Sequence, residues 1–324
     1  MKIVKRILAV VGALLLLAVL GVVLKFYVLS PKMRPAPAMT APTSPEAIAR
    51  GKYLVHHVTG CVACHSPVRT DQPGEPYIEE KLGAGRVWEK DPSYPDWEII
   101  APNITPDKDT GLGNWSDGEI ARAIREGVSK DGRPLFPMMP FQTYAATLSD
   151  DDTLAIIAYL RTLAPQSNKL AATKIGFPVS MFVRGVPAPL EKPSAGAPPA
   201  SDKKARGDWL LKVCSCSDCH DTFNEKREPI PGKRLAGGEA FRSSVGKIHA
   251  PNITSDKATG IGAYSDDDLR RVFNEGVGKA GRPLYFMPWW YYKGMTDEDK
   301  DALIFALRQV DAVSNVVPPP ELKK

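Results

Sequence analysis

One stretch of 35 residues occurs twice in this chain without a gap. APNITPDKDTGLGNWSDGEIARAIREGVSKDGRPL at 101–135 matches APNITSDKATGIGAYSDDDLRRVFNEGVGKAGRPL at 250–284, with 21 positions identical at a constant offset of 149. Shorter matches extend outward: ARGKYL (49–54) with ARGDWL (205–210), LGAGRVW (82–88) with LAGGEAF (235–241), and MPF (139–141) with MPW (287–289). A chain of 324 residues has room for about two ordinary domains. Two long copies describe a tandem pair of domains rather than a solenoid, which needs three or more short repeats.

Helix signals recur in register. Ser116-Asp-Gly-Glu119 is a full capping box, and Ser265-Asp-Asp-Asp268, Ser149-Asp-Asp-Asp152 and Thr296-Asp-Glu-Asp299 are N-cap patterns ahead of apolar runs. LAIIAYLRTL (154–163) carries helical apolar spacing, and no stretch alternates convincingly as a strand does. The expected class is therefore all-α, with long Gly/Pro-rich loops. Pro/Ala-rich stretches at 30–45 and 186–204 read as semi-extended spacers.

The N-terminus reads differently. Ile7 to Leu24 is an unbroken apolar run of 18 residues, the length at which a single membrane-spanning helix becomes the expected reading. A secretory signal has a shorter apolar region of about 7–15 residues, although Ala36-Pro37-Ala38 could serve as a cleavage site. Lys2, Lys5 and Arg6 precede the run and Lys25, Lys32 and Arg34 follow it, so local charge does not set the orientation. Those six account for the basic character: of 42 Lys and Arg, 36 remain beyond residue 34 against 37 Asp and Glu. This balance leaves no footprint for nucleic acid. The expected boundaries are an anchor or uncleaved signal at 1–30, a linker at 31–45, a first domain at 46–185, a linker at 186–204, a second domain at 205–315 and a tail at 316–324.

The chemistry sits near the start of each copy. GCVACHSP contains Cys61, Cys64 and His65, and SCSDCHDT contains Cys216, Cys219 and His220. C-x-x-C-H is the attachment pattern of a c-type haem: two thiols become thioethers and the adjacent histidine reaches the iron. Cys214 has no counterpart in the first copy and is the extra thiol. A four-cysteine zinc site would not require a histidine after both pairs. A thioredoxin-like motif lacks its β-α-β setting, and disulfides within each pair would strain across two residues. Two covalently bound haems c are the expectation. Their attachment needs an oxidising compartment, which in a bacterium directs the domains to the periplasm and leaves the N-terminus of a single-pass helix inside.

Whether such a haem transfers electrons or catalyses depends on its sixth ligand. Each copy carries a Met-Pro-aromatic triplet after its GRPL turn, Met139-Pro140-Phe141 and Met287-Pro288-Trp289. A thioether favours ferrous iron and closes the site to oxygen. The plainer alternative is that these methionines fill the core. Met138 competes with Met139 in the first copy. His56, His57 and His249 could offer a second histidine ligand, but none is matched in the other copy.

On these residues the chain resembles the membrane-associated class I cytochrome c domains of bacterial dehydrogenases, most nearly the multihaem cytochrome subunits of alcohol, aldehyde and gluconate dehydrogenases. The resemblance spans about residues 46–311, and those relatives typically carry three haem domains where this chain has two. It implies two tandem class I cytochrome c domains after the N-terminal helix. It further implies covalent haem at Cys61, Cys64, Cys216 and Cys219, with His65, Met139, His220 and Met287 as axial ligands. The implied function is electron relay in the bacterial inner membrane, with no substrate bond made or broken. The donor would be a periplasmic dehydrogenase or a quinol-oxidising respiratory complex, the acceptor a soluble cytochrome or terminal oxidase. The competing class is a catalytic dihaem enzyme, a peroxidase or sulfur-compound dehydrogenase, with one exchangeable or unusual ligand such as Cys214. Among weaker signals, Asn103-Ile-Thr105 and Asn252-Ile-Thr254 read as packing near the haem edge rather than glycosylation sites. DKDTG (107–111) is only a fragment of a calcium loop. Arg133 and Arg282 are candidates for haem carboxylates or for ordinary surface turns.

Overall fold

The computed structural model describes residues 2–88, 90, 94–226, 228–243 and 245–323. Met1 and Lys324, the ends of the expected anchor and tail, lie outside them. Helix α1 (Lys2–Val23) continues through a wider turn, Leu24–Val28, closed by the Leu29 N–H on the Leu24 carbonyl at 2.9 Å. None of its residues is buried, and its length and apolar composition suit a membrane span.

The first half then runs α2 (Pro45–Tyr53), α3 (Cys61–His65), β1 (Arg86–Val87), β2 (Ile100–Ala101), α4 (Asp117–Glu126), α5 (Phe141–Thr147) and α6 (Asp150–Leu160). After α7 (Val179–Val183) the same order returns: α8 (Lys203–Val213), α9 (Cys216–His220), β3 (Ala240–Ser243), β4 (Gly246–His249), α10 (Asp266–Glu275), α11 (Trp289–Lys293) and α12 (Asp297–Arg308), then β5 (Glu321–Leu322). The described fold is mainly helical, but it is not strand-free. β1 pairs with β2, and β3, β4 and β5 form a small antiparallel sheet. At two to four residues these strands are too short for period-2 alternation to be visible.

The helix starts follow the capping chemistry. Ser116 Oγ accepts the Glu119 N–H at 3.1 Å while Glu119 accepts the Ser116 N–H at 2.7 Å. Ser265 and Asp268 make the same reciprocal pair, so the shorter aspartate also completes a capping box. Ser149 and Thr296 cap α6 and α12 through the backbone N–H groups of Asp152 and Asp299.

In each half the first and last helices cross at closest approach on a glycine. A methyl group on Gly51 would lie 1.8 Å from the Ala155 carbonyl oxygen, and one on Gly207 2.1 Å from that of Ala302. The Arg-Gly pair repeated at 50–51 and 206–207 is thus one packing device. The glycine lets the helices touch and the arginine before it ties them. Arg50 donates to Asp152 at 2.9 and 3.0 Å, and Arg206 donates to both oxygens of Asp299 at 2.7 and 2.9 Å.

A single hydrophobic cluster runs through both halves, from Leu54, Val58 and Ile156 to Leu210, Tyr291 and Leu303. Polar contacts cross the same boundary. Trp209 Nε1 donates to the Thr147 carbonyl at 2.8 Å, Trp290 Nε1 to that of Gly74 at 2.7 Å, and the Tyr53 hydroxyl to Asp299 at 2.5 Å.

The proline-rich stretch after α1 is a strap docked on the first half of the chain. Arg34 donates twice to the buried Glu126 carboxylate, at 2.7 and 2.9 Å, and the Ala41 N–H donates to Asp117 at 2.8 Å. Pro37 crosses α4 at Gly118, where a methyl group would stand 1.8 Å from the Pro37 carbonyl oxygen.

Candidate haem sites

Each C-x-x-C-H motif forms a single helical turn entered from a left-handed residue, Gly60 at φ 62° before α3 and Ser215 at φ 54° before α9. That turn sets the two thiols of each motif close to one another. None of the five cysteines is in a disulfide. Among the described residues, no group of three or more His, Cys, Asp or Glu side chains is gathered as a structural metal would require. Burial pushes the Cys61 thiol up to about 11 and that of Cys216 up to about 12, so neither is poised as a thiolate ligand or nucleophile.

The histidines are held alike. His65 Nδ1 lies 2.7 Å from the Pro102 carbonyl oxygen, and His220 Nδ1 lies 2.8 Å from that of Pro251. A carbonyl only accepts, so the proton sits on Nδ1 and Nε2 keeps its lone pair. A carbonyl held on Nδ1–H in this way fixes the ring so that Nε2 can face a metal. Burial lowers the basicity of both rings, which favours the neutral form that a ligand must have.

The carbonyls that hold these rings belong to the duplicated APNIT segment, and its asparagines hold the segment. Asn103 donates to the Gln166 carbonyl at 2.6 Å and to Thr110 Oγ1 at 3.0 Å, and accepts from the N–H and hydroxyl of Thr105. Asn252 repeats this with Val313, Thr259 and Thr254. At 3% and 2% exposure these side chains are structural and closed to glycosylation. Asp107 Oδ1 accepts from the Thr110 N–H and hydroxyl at 2.7 Å each, so DKDTG is a capped turn.

The two methionine segments share one local geometry. The Phe141 N–H donates to the Met139 carbonyl and the Trp289 N–H to the Met287 carbonyl, each at 2.8 Å. Met139 and Met287 both pack against the hydrophobic cluster, whereas Met138 is 45% exposed. His56 is sandwiched between the Tyr159 hydroxyl at 2.7 Å and the Tyr77 hydroxyl at 3.2 Å, and His57 Nδ1 donates to the Tyr291 carbonyl at 2.9 Å. Both are occupied in packing. The side chains of Arg133 and Arg282 are exposed.

Two polar groups near the first motif have no counterpart among the sequence-derived candidates. Trp88 Nε1 is buried without a hydrogen-bond partner, and the Arg86 guanidinium lies 3.8 Å from the Trp88 ring centroid and close to the Cys64 thiol. An orphaned buried donor beside a cation suits an anionic haem carboxylate. Together with the thiol pair and the Nε2 lone pair, the residues fit a covalently attached haem. The only sequence signal for Trp88 is the aromatic shared by positions 88 and 241 in the two copies.

Residues 48–164 match the cytochrome c family, a match that implies a covalently bound haem c for that segment. Across more of its length the chain is similar to cytochrome subunits of dehydrogenases. It is 30% identical to the fructose dehydrogenase cytochrome subunit of Gluconobacter japonicus over 86% of this chain and 56% of that one. It is 34% identical to the gluconate 2-dehydrogenase cytochrome c subunit of Pantoea cypripedii, over 71% and 51% respectively. A diheme cytochrome c-type protein of Cereibacter sphaeroides is 26% identical over 78% of this chain and 83% of its own length. The chain thus spans about half the length of the two dehydrogenase subunits.

Proposed function

We propose that this chain is a membrane-anchored dihaem cytochrome c that relays electrons from a periplasmic dehydrogenase to a downstream carrier. The observation that carries the reading is the duplicated histidine geometry, with Nδ1–H fixed on a carbonyl of APNIT in each half. Two tandem cytochrome c domains, 46–185 and 205–315, follow an anchor at 1–30 and are separated by the linker at 186–204. Residues 31–45 join the anchor to the first domain, and 316–324 form the tail.

Bound haem iron supplies a reversible one-electron couple, and the chain sets how that couple behaves. Cys61 and Cys64 would hold one group and Cys216 and Cys219 the other, with His65 and His220 as iron ligands. Met139 and Met287 would supply soft thioethers, a donor type that favours the reduced state and excludes small oxidants. Cys214 lies beside the Tyr291 hydroxyl between the halves, which supports packing rather than axial ligation.

The similarity to dehydrogenase cytochrome subunits supports a dehydrogenase as donor. The domains would face the periplasm, with a soluble cytochrome or terminal oxidase receiving the electrons. The test is purification of the native complex from membranes in mild detergent. A stoichiometric dehydrogenase whose substrate reduces both haems supports the relay. Haems that stay oxidised while a co-purified dehydrogenase turns over would refute it.

A further inference from the structure

About 20 helical residues cross the hydrocarbon core of a bilayer. Counted from Ile7, the first residue of the apolar run, they end at Phe26, so the turn at 24–28 lies at the membrane surface. A distant part of the chain is fastened to that turn. The Phe182 ring of α7 meets Phe26 edge-on with centroids 5.6 Å apart. Arg184 Nε donates to the Phe26 carbonyl at 2.7 Å and Nη2 to that of Ser30 at 3.3 Å, with the guanidinium 5.3 Å from the Tyr27 centroid. These contacts fix the depth of α7 at the same level.

The surface exposed there is apolar and aromatic. Phe177 is 78% exposed and Phe182 55%, and in the segment that Phe182 and Arg184 touch Tyr27 is 51% and Leu29 61% exposed. Large apolar side chains grouped on one face mark an interaction site. The flanking charge has one sign: residues 169–190 hold Lys169, Lys174 and Arg184, residues 24–45 hold Lys25 and Lys32 besides Arg34, which is paired with Glu126, and neither stretch has an acid. Aromatic rings at the headgroup level with basic neighbours are the composition of a membrane-interface contact.

We propose that residues 176–185 form a second membrane contact, lying in an anionic phospholipid interface beside the anchor. With the strap docked on α4, this contact holds the haem-bearing body at a set orientation over the bilayer instead of leaving it on a tether. The inference rests on the retained-anchor reading.

The test uses the full-length haem-loaded chain in phosphatidylcholine–phosphatidylglycerol vesicles. A photo-reactive benzoylphenylalanine is placed in turn at 177, 182 and 305, the last a partly exposed position on α12. The expected result is a mass shift of one phospholipid on the peptides bearing 177 and 182, without a comparable adduct at 305. Equal adducts at all three positions, or adducts at 177 and 182 only with protein, would overturn the contact. The same digest is searched for the peptide from Ile7 to Lys25. If that peptide is missing from alkali-washed membranes, the anchor reading falls and the contact with it. If it is present and 182 gives no lipid adduct, the contact alone falls. As a second readout, Phe177→Asp with Phe182→Asp should abolish the fixed linear dichroism of the haem bands in oriented membranes. Unchanged dichroism would contradict the proposal.

Discussion

The hydroxyl of Tyr291, in the second half of the chain, donates to the carbonyl of Val58, three residues before Cys61 in the first. The same tyrosine's carbonyl accepts from His57 Nδ1 at 2.9 Å, and the Cys214 thiol lies beside its hydroxyl. One residue thereby ties together the segments that lead into both C-x-x-C-H turns. Val58 is fully buried, so Tyr291→Phe strands its carbonyl without a donor. The expected loss is about 1–3 kcal/mol, seen as a lower midpoint in thermal unfolding. An unchanged midpoint would mean that the hydroxyl contributes nothing across this boundary.

The glycines at the helix crossings should be intolerant of a single methyl group. Gly51→Ala and Gly207→Ala each drive a Cβ into a backbone carbonyl, which side-chain adjustment cannot relieve. Overpacking of this kind costs roughly 1–3 kcal/mol or more. Urea unfolding should show reduced stability for both variants, with the effect of similar size because the two crossings are copies. Wild-type stability in either would contradict the close approach.

His56 makes stability depend on pH in a defined window. Burial, with smaller contributions from His57 and Lys52, lowers its pKa from 6.5 to about 4 in the folded chain. The unfolded chain therefore takes up the proton first, and stability falls as pH drops from about 6.5 towards 4, then levels off for this group. Histidine 56 stays neutral between two tyrosine hydroxyls above that window. His56→Gln should flatten this part of the profile of melting temperature against pH. A slope identical to wild type would assign the dependence elsewhere.

The methionine assignment predicts a spectroscopic loss. Met139→Ala and Met287→Ala should each remove half of the far-red thioether-to-iron absorption of the oxidised protein and lower one of two midpoints in a redox titration. Met138→Ala should leave both unchanged. If Met138→Ala instead removes the band, the ligand in the first half is the neighbouring residue.

Much of the helical fold and of the candidate site's geometry was legible in the sequence because its signals are local. The haem motifs, the N-caps at Ser116, Ser149, Ser265 and Thr296, and the 35-residue duplication each lie within a short window. What stayed hidden depends on residues far apart in the chain. Tyr291 is 233 residues from Val58, and no pattern around it distinguishes a pin from core filler. The strap at 31–45 reads as spacer from its prolines, yet its hold comes from Arg34 meeting Glu126, 92 residues on. Trp88 and Arg86 escaped because a lone aromatic and a lone arginine beside a turn carry no signature until burial orphans the indole N–H. The strands were too short for their alternation to register.

The most direct test of the central claim is the haem-to-chain ratio of the purified protein, measured as the pyridine haemochrome after acid-acetone washing has removed all non-covalent haem. The account predicts two covalent haems per chain, one for each C-x-x-C-H motif. A ratio of one would contradict the dihaem relay and leave one of the two motifs without its cofactor.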